Sequence, residues 1–299
     1  MRIASLLASA TEILFALGAG DEVVAVSEKC DFPDAARQRP VVVRARIDNQ
    51  RSQEEIDEQV NRLRAAGESL YEVDTATLAA LRCDLVVTQE VCHVCAASPQ
   101  DLQSGLRGMS CPPHVIALKP RRLADVWRDV ERLGEATGRS VRARQLVAEL
   151  EARTQVGPTR SAPSMLCLEW LAPPFVAGHW VPDMIECAGA YAVLGVAGQP
   201  GFRCEWAHVL VSNPGVIVLM PCGYHLDETE RLARTFRWPA GWSKLAAVRY
   251  GNVFAVDGSG QFSRHGPRLA DGVDTLREIV TATTTGCARG ENWRRLATA

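Results

Sequence analysis

The chain has 299 residues, 47% of them hydrophobic, and a formal charge of −2 at pH 7. That length supplies core for two domains of ordinary size. A near-neutral chain without a basic block argues against nucleic acid as a partner, and no apolar run reaches the roughly 18 residues of a membrane span.

The opening, Met1-Arg2 followed by Ile3 to Ala10, imitates a secretory leader down to an Ala-x-Ala at Ala8-Ser9-Ala10. A single Arg and an almost absent polar n-region favour another reading. Arg2 to Leu7 is a buried strand, Ser9 or Thr11 caps a helix over Glu12–Leu17, and Gly18 closes it. Ile3, Leu6 and Leu14 are then core residues. This reading places the protein in the cytoplasm, with the periplasm as the alternative. In a reducing compartment the ten cysteines are thiols or metal ligands, not a disulfide framework.

Strand-like runs then alternate with helical patterns. The runs are Ile3–Leu7, Val23–Val26, Val41–Val43, Leu85–Thr88 and Val115–Leu118. Helical spacing fills Thr11–Leu17, Gln53–Ala66, Thr75–Leu81 and Pro99–Gly105. This alternation defines an α/β lobe with a parallel sheet over residues 1–121. Residues 122–158 hold no strand-like run. They predict one helix with a stripe of Leu123, Val126, Val130 and Leu133, a break at Gly138, and a second helix from Ser140 to Gln155 with Val141, Leu146, Val147 and Leu150 inward. This is a helical connector. A second α/β lobe occupies residues 159–299. Its strands are Met165–Leu168, Val216–Met220 and Val253–Val256, and its helices Pro182–Ala188, Trp206–Ser212, Leu226–Phe236 and Pro267–Val280. Thr281 to Ala299 reads as a loose tail.

Between the strand ending at Leu168 and the helix started by Pro182 lies Glu169-Trp170-Leu171-Ala172-Pro173-Pro174-Phe175-Val176-Ala177-Gly178-His179-Trp180-Val181. Prolines and glycine make it loop-like, and its aromatics suit the wall of a ligand cleft at the carboxyl edge of a sheet. Four cysteines occupy equivalent post-strand positions: Cys30, Cys92, Cys95 and Cys222. Thiolates are soft ligands for zinc or an iron–sulfur cluster, so these four form a candidate metal site. His179 and His225 share the predicted rim as candidate ligands to a metal, including the cobalt or iron of a bound cofactor. Arg44 and Arg46 follow a strand, and Arg44, with Arg264 from the other lobe, is suited to bidentate recognition of propionamide, carboxylate or phosphate groups. Arg46 beside Asp48 reads as a local ion pair. No Ser-His-Asp order, phosphate-binding loop or paired carboxylate appears, and Glu28, Glu90, Glu169 and Glu205 are scattered. The chain is read as a non-enzyme.

Taken together, the segments Arg2–Leu6, Ser9–Gly18, Cys30-Asp31-Phe32-Pro33, Cys83–Val87, Pro173-Pro174-Phe175, Glu186–Gly189 and Phe262-Ser263-Arg264-His265-Gly266-Pro267-Arg268 resemble, in order and spacing, one family. It is the helical-backbone (class III) periplasmic-type ABC substrate-binding proteins, and the chain looks closest to their cobalamin-binding, cytosolic relatives. The resemblance implies two Rossmann-like lobes with parallel sheets, joined by a long helix, and a corrinoid, haem or iron chelate held between the lobes. It also implies that the Pro-Pro-Phe loop and Phe262–Arg264 face the ligand. Glu205 stands where the resemblance leads one to expect a ligand-stacking Trp, and Gln261 stands near another such position. The residues read as ligand-binding are Arg44, Glu90, Trp170, Phe175, His179, Trp180, Tyr224, Phe262 and Arg264, with cobalamin or a related corrinoid as small-molecule ligand. Two alternatives remain: a thiol-based metal or iron–sulfur protein with a redox or sulfur-transfer role, and an exported binding component that serves an ABC transporter permease.

Overall fold

In the computed structural model, residues 1–91, 97, 102, 112–156 and 162–297 are described. The chain divides into two compact units, one of residues 1–120 and 125–148, the other of residues 121–124 and 149–299. The boundary therefore falls inside the two predicted connector helices, Leu123–Ala136 and Ser140–Arg153.

The first unit is built on a six-stranded sheet. Its strands are β1 (Ile3–Ser5), β2 (Val23–Ser27), β3 (Val41–Ala45), β4 (Tyr71–Val73), β5 (Leu85–Gln89) and β6 (His114–Leu118), in the order β4-β3-β2-β1-β5-β6. All neighbours are parallel except β3 and β4. The short edge strand β4 lacks the apolar run that marks the others, which is why sequence reading passes over it. The opening residues are structural: β1 lies between β2 and β5, and Ile3, Leu6 and Leu14 are fully buried. The helix after β1 starts earlier than expected, at Ala8, and neither Ser9 nor Thr11 caps it. Thr11 instead sits within the helix and donates its hydroxyl back to the Leu7 carbonyl. That in-helix bond is an alternative to capping which Ser and Thr often take. Helices Gln53–Ala65 and Thr75–Leu81 match the pattern closely, the first with a reciprocal Ser52/Glu55 capping box and the second capped by Asp74. Of the expected helix Pro99–Gly105 only Leu102 is described, and it is buried.

Helix Leu123–Ala136 buries the expected stripe. Helix Ser140–Arg153 buries Leu146, Val147 and Leu150 as expected, but Val141 is 64% exposed and Ala143, fully buried, takes its place. Close helix approach explains the exchange. A Cβ on Gly134 would collide with that of Ala143, so a small residue is needed at 143.

The second unit carries β7 (Ser164–Leu171), β8 (Pro174–Val176), β9 (Tyr191–Ala192), β10 (Phe202–Arg203), β11 (Val216–Leu219), β12 (Val253–Val256) and β13 (Trp293–Arg295). Its sheet runs β10-β8-β7-β11-β12-β13, with β9 also pairing β7. The core β7-β11-β12 is parallel, β9 also joins β7 in parallel, and the pairs β10-β8, β8-β7 and β12-β13 are antiparallel. Two expectations are corrected. The aromatic stretch is not a loop throughout: β7 continues to Leu171 and turns back as β8, so Trp170 pairs with Phe175. Nor is residue 281 onward a loose tail. The last long helix runs Leu269–Thr285 to a C-cap at Gly286, and β13 pairs with β12, burying Trp293 against Phe254. Threonine-rich sequence hides that helix end, since helix propensity is a weak prior beside packing.

Candidate ligand-binding site

Because β7, β11 and β12 run parallel, their exit loops gather at one edge of the second unit. The loop after β11, Met220 to His225, and the loop after β12, Asp257 to His265, touch through backbone. A Cβ on Gly258 would run into the Pro221 carbonyl oxygen, so only glycine permits this approach. Ser259 N–H donates to the Tyr224 carbonyl at 3.0 Å, and Cys222 N–H donates to the Glu169 carbonyl at 3.1 Å. The two exit loops are thereby fixed to each other and to the end of β7.

Several assigned residues meet there. The half-buried ring of Trp170 stands edge-on to Tyr224, with centroids 5.8 Å apart, and its indole N–H donates to the Ala172 carbonyl. Phe175 lies beside it in β8 and is also half-buried. Arg264 donates to Ser259 Oγ at 3.3 Å. His225, exposed, faces Asp257 through Nδ1 at 3.1 Å from Oδ2, and the other Asp257 oxygen accepts the Gly260 N–H at 2.7 Å. Asp257 was missed by sequence reading, although it follows β12 directly, in the same position relative to its strand that drew attention to the cysteines.

Two assigned aromatics do not line an open wall. Trp180 and Phe262 are buried, and the Trp180 indole N–H donates to the Phe262 carbonyl at 2.8 Å. Trp180 packs between His179 and His265, with ring centroids 5.5 and 5.4 Å away. It braces the loop after β12 rather than presenting a face for stacking. Gln261 is likewise buried, accepting from the Thr275 hydroxyl. His179 sits in left-handed backbone at φ 51°. Burial lowers its pKa, helped by the charge of Arg121. Burial pushes His265 down to about 4. Both imidazoles are therefore neutral structural groups near pH 7. Nearby, the buried Asp183 accepts the Leu123 N–H at 2.9 Å and pairs with Arg122, satisfying the first turn of helix Leu123–Ala136.

In the first unit Glu90 follows β5 and pairs with Lys119 at 3.1 Å. Arg44 does not follow a strand; it lies within β3, exposed, opposite Glu72 of β4. The Arg46–Asp48 pair does not form. Arg46 binds Glu68 at 2.6 Å and Asp48 binds Arg51 at 3.0 Å, because β4 brings residues 68–70 alongside residue 46.

The four-thiol site has two members, Cys92 and Cys95, outside the described residues. Cys30 belongs to the first unit and Cys222 to the second. Cys30 is a core thiol: its sulfur lies 3.1 Å from the Thr11 hydroxyl and donates to the Ser5 carbonyl at 3.7 Å. A proton in use on that sulfur is the opposite of a metal-binding thiolate. Burial also raises the Cys83, Cys167, Cys187 and Cys204 thiols, Cys187 to about 11. Among the described residues no three His, Cys, Asp or Glu side chains are grouped to hold a metal ion, and no helix is long and apolar enough to cross a membrane.

Two largely parallel sheets, the second with exit loops in contact at its carboxyl edge and a rim of aromatic, imidazole and guanidinium groups, define a protein of the α/β class. Residues 3–259 match the model of the periplasmic binding protein family, and the chain belongs to that family. It is 22% identical over 289 residues to an uncharacterized ABC transporter substrate-binding lipoprotein, YvrC, of Bacillus subtilis, spanning 93% of this chain and 79% of that one. It is 22% identical over 281 residues to the vitamin B12-binding protein of Vibrio cholerae, spanning 92% and 87%. Among solved structures, the apo periplasmic heme-binding protein RhuT of Roseiflexus sp. RS-1 superposes with a TM-score of 0.67 at 22% identity, covering 94% of this chain and 98% of that one.

Proposed function

We propose that the protein is a non-enzymatic solute-binding protein for a metal chelate of the corrinoid or haem class, with cobalamin or a related corrinoid as the leading ligand. The observation that carries this reading is the rim at the carboxyl ends of β7, β11 and β12, where Trp170 of β7 borders Tyr224, and His225 and Arg264 are carried on loops joined by backbone contacts. Aromatic edges suit a flat macrocycle, and a guanidinium suits its amide or carboxylate periphery. The relatives named for B12 and for heme support the same class of cargo. Equilibrium titration of intrinsic fluorescence with cyanocobalamin, dicyanocobinamide and hemin tests it. Saturable quenching by at least one is expected, and flat curves for all three overturn it.

The location in keeping with this reading is the cytoplasm. The residues that imitate a leader are core here, with Ile3, Ala4, Leu6 and Ala10 fully buried. The alternative, an exported component delivering to an ABC permease, draws on the lipoprotein relative. Fractionation of the native host decides between them, since recovery of the chain outside the cytoplasmic membrane overturns the cytoplasmic assignment.

A further inference from the structure

We infer that helix Leu123–Ala136 carries a proton switch at Asp129: the helix is docked on the first unit with this carboxyl neutral, and loss of the proton loosens it. Asp129 lies at the border of the buried stripe, one turn from Val126 and Leu133 on one side and from Asp125 and Arg132 on the other. It is 7% exposed, and its Oδ2 has no hydrogen-bond partner among the described residues. A carboxylate so placed lacks both water and a bonded counter-charge, and a buried acid without them keeps its proton. The nearest cations are committed elsewhere. Arg128 pairs with Asp125, and Arg132 Nη1 donates to the Ala117 carbonyl of β6 at 3.0 Å. Around the helix, β6 brings His114 and, just past its end, Lys119, which pairs with Glu90. The second connector helix brings Arg139 at its start, paired with Glu22, then Arg142, bonded to the Ala16 carbonyl, and the exposed Arg144. Ahead of the helix, Asp183 is taken by Arg122 and the Leu123 N–H. Among the described residues none of these groups forms an ion pair with Asp129.

Burial raises this carboxyl from an ordinary 3.8 to about 7, against the pull of Arg132 and Arg128 and with the help of Asp125. Between those two values the folded chain keeps a proton that the unfolded chain has released. Stability therefore falls as pH rises through that window and is level on either side of it. Once ionised, Asp129 gains by reaching water, which requires the border of the helix to lift from the unit. The sign is opposite to that of the buried His265, which lies in the second unit, so the two need separate reporters.

Carbon NMR of the full chain, labelled at its aspartate carboxyl carbons, reads the proton directly. One aspartate should titrate with a midpoint of about 7, and Asp129→Asn should lose that resonance. Trp127 is the sole tryptophan of residues 1–148 and lies in this helix. Its fluorotryptophan resonance, assigned by Trp127→Phe, therefore follows urea unfolding of the first unit alone. Relative to Asp129→Asn, the wild-type unfolding constant should rise by up to about tenfold per pH unit between about pH 4 and about pH 7. Asp129→Asn mimics the neutral acid and should match the wild type near the acid end of that range. Asp129→Leu fills the position without a polar group, and at about pH 8 both variants should unfold less readily than the wild type. An aspartate titration lying entirely below about pH 5, the ordinary carboxylate range, overturns the switch. So does a wild type more stable at about pH 8 than both variants, since the carboxylate would then be the favoured form.

Discussion

Residues 3–16 and residues 169–182 handle polar and aromatic side chains in opposite ways. In the first, small polar groups are core. Ser5, Ser9 and Thr11 are buried, the hydroxyls of Ser5 and Thr11 bond each other at 2.8 Å, and Cys30 completes the group. In the second, a proline- and aromatic-rich run forms a hairpin and a helix start. Its most enclosed ring, Trp180, is a brace, whereas the half-buried Trp170 borders the rim. Residue type alone does not decide which side chain faces a ligand. Available hydrogen-bond partners do, because burial is tolerated wherever each polar atom is satisfied.

The largest expected effect lies in the first segment. Deleting residues 1–20 removes β1 from between β2 and β5 and leaves two unpaired strand edges in the middle of the sheet. Soluble folded protein should be lost, as checked by circular dichroism and sedimentation. A folded, shortened chain would show that the sheet closes without its central strand. Next comes the second segment. Trp180→Ala should cost about 3–5 kcal/mol of unfolding free energy, in the range for a buried aromatic, measured by urea denaturation. Trp170→Ala should cost about 1 kcal/mol but remove more of the chelate-induced quenching. The opposite ranking of the two substitutions would break the distinction between brace and rim.

Much of the architecture was legible because buried parallel strands are continuous apolar runs: Val216–Met220 and Val253–Val256 read almost as they fold. Helix Trp206–Ser212 matches its pattern at both ends. What sequence reading lost are the antiparallel edges, β4, β8, β10 and β13, which are short and lack such runs. At the site, post-strand position flagged Cys222 and with it the rim that holds His225, yet it also flagged Cys30, which folds inward. Local order cannot separate these, since the direction of each side chain depends on partners far away in sequence: Thr11 for Cys30 and Asp257 for His225.

The third effect is smaller and depends on pH. His265 is buried, touches the Trp180 ring at 5.4 Å between centroids, and feels the neighbouring His179, so burial lowers its pKa to about 4 from an ordinary 6.5. Above pH 6.5 the imidazole is neutral whether the chain is folded or not, and it contributes no pH dependence. Between about 6.5 and 4 the unfolded chain takes up a proton that the folded chain refuses, so stability falls as pH falls. Below about 4 both states are protonated and the slope ends. The full loss is on the order of 3 kcal/mol, because each tenfold drop in proton affinity on folding corresponds to about 1.4 kcal/mol. His179, also lowered by burial and by Arg121, adds a loss of the same sign. Urea midpoints for the wild type should therefore fall between pH 7 and pH 4 more steeply than those for His265→Gln, whose side chain cannot titrate. Emission from Trp180 reports the same event locally, because the imidazolium would displace the packing that holds the ring to the Phe262 carbonyl. Equal slopes for the two proteins would mean that His265 protonates without disturbing its surroundings. The brace at Trp180 would then be looser than its buried hydrogen bond implies.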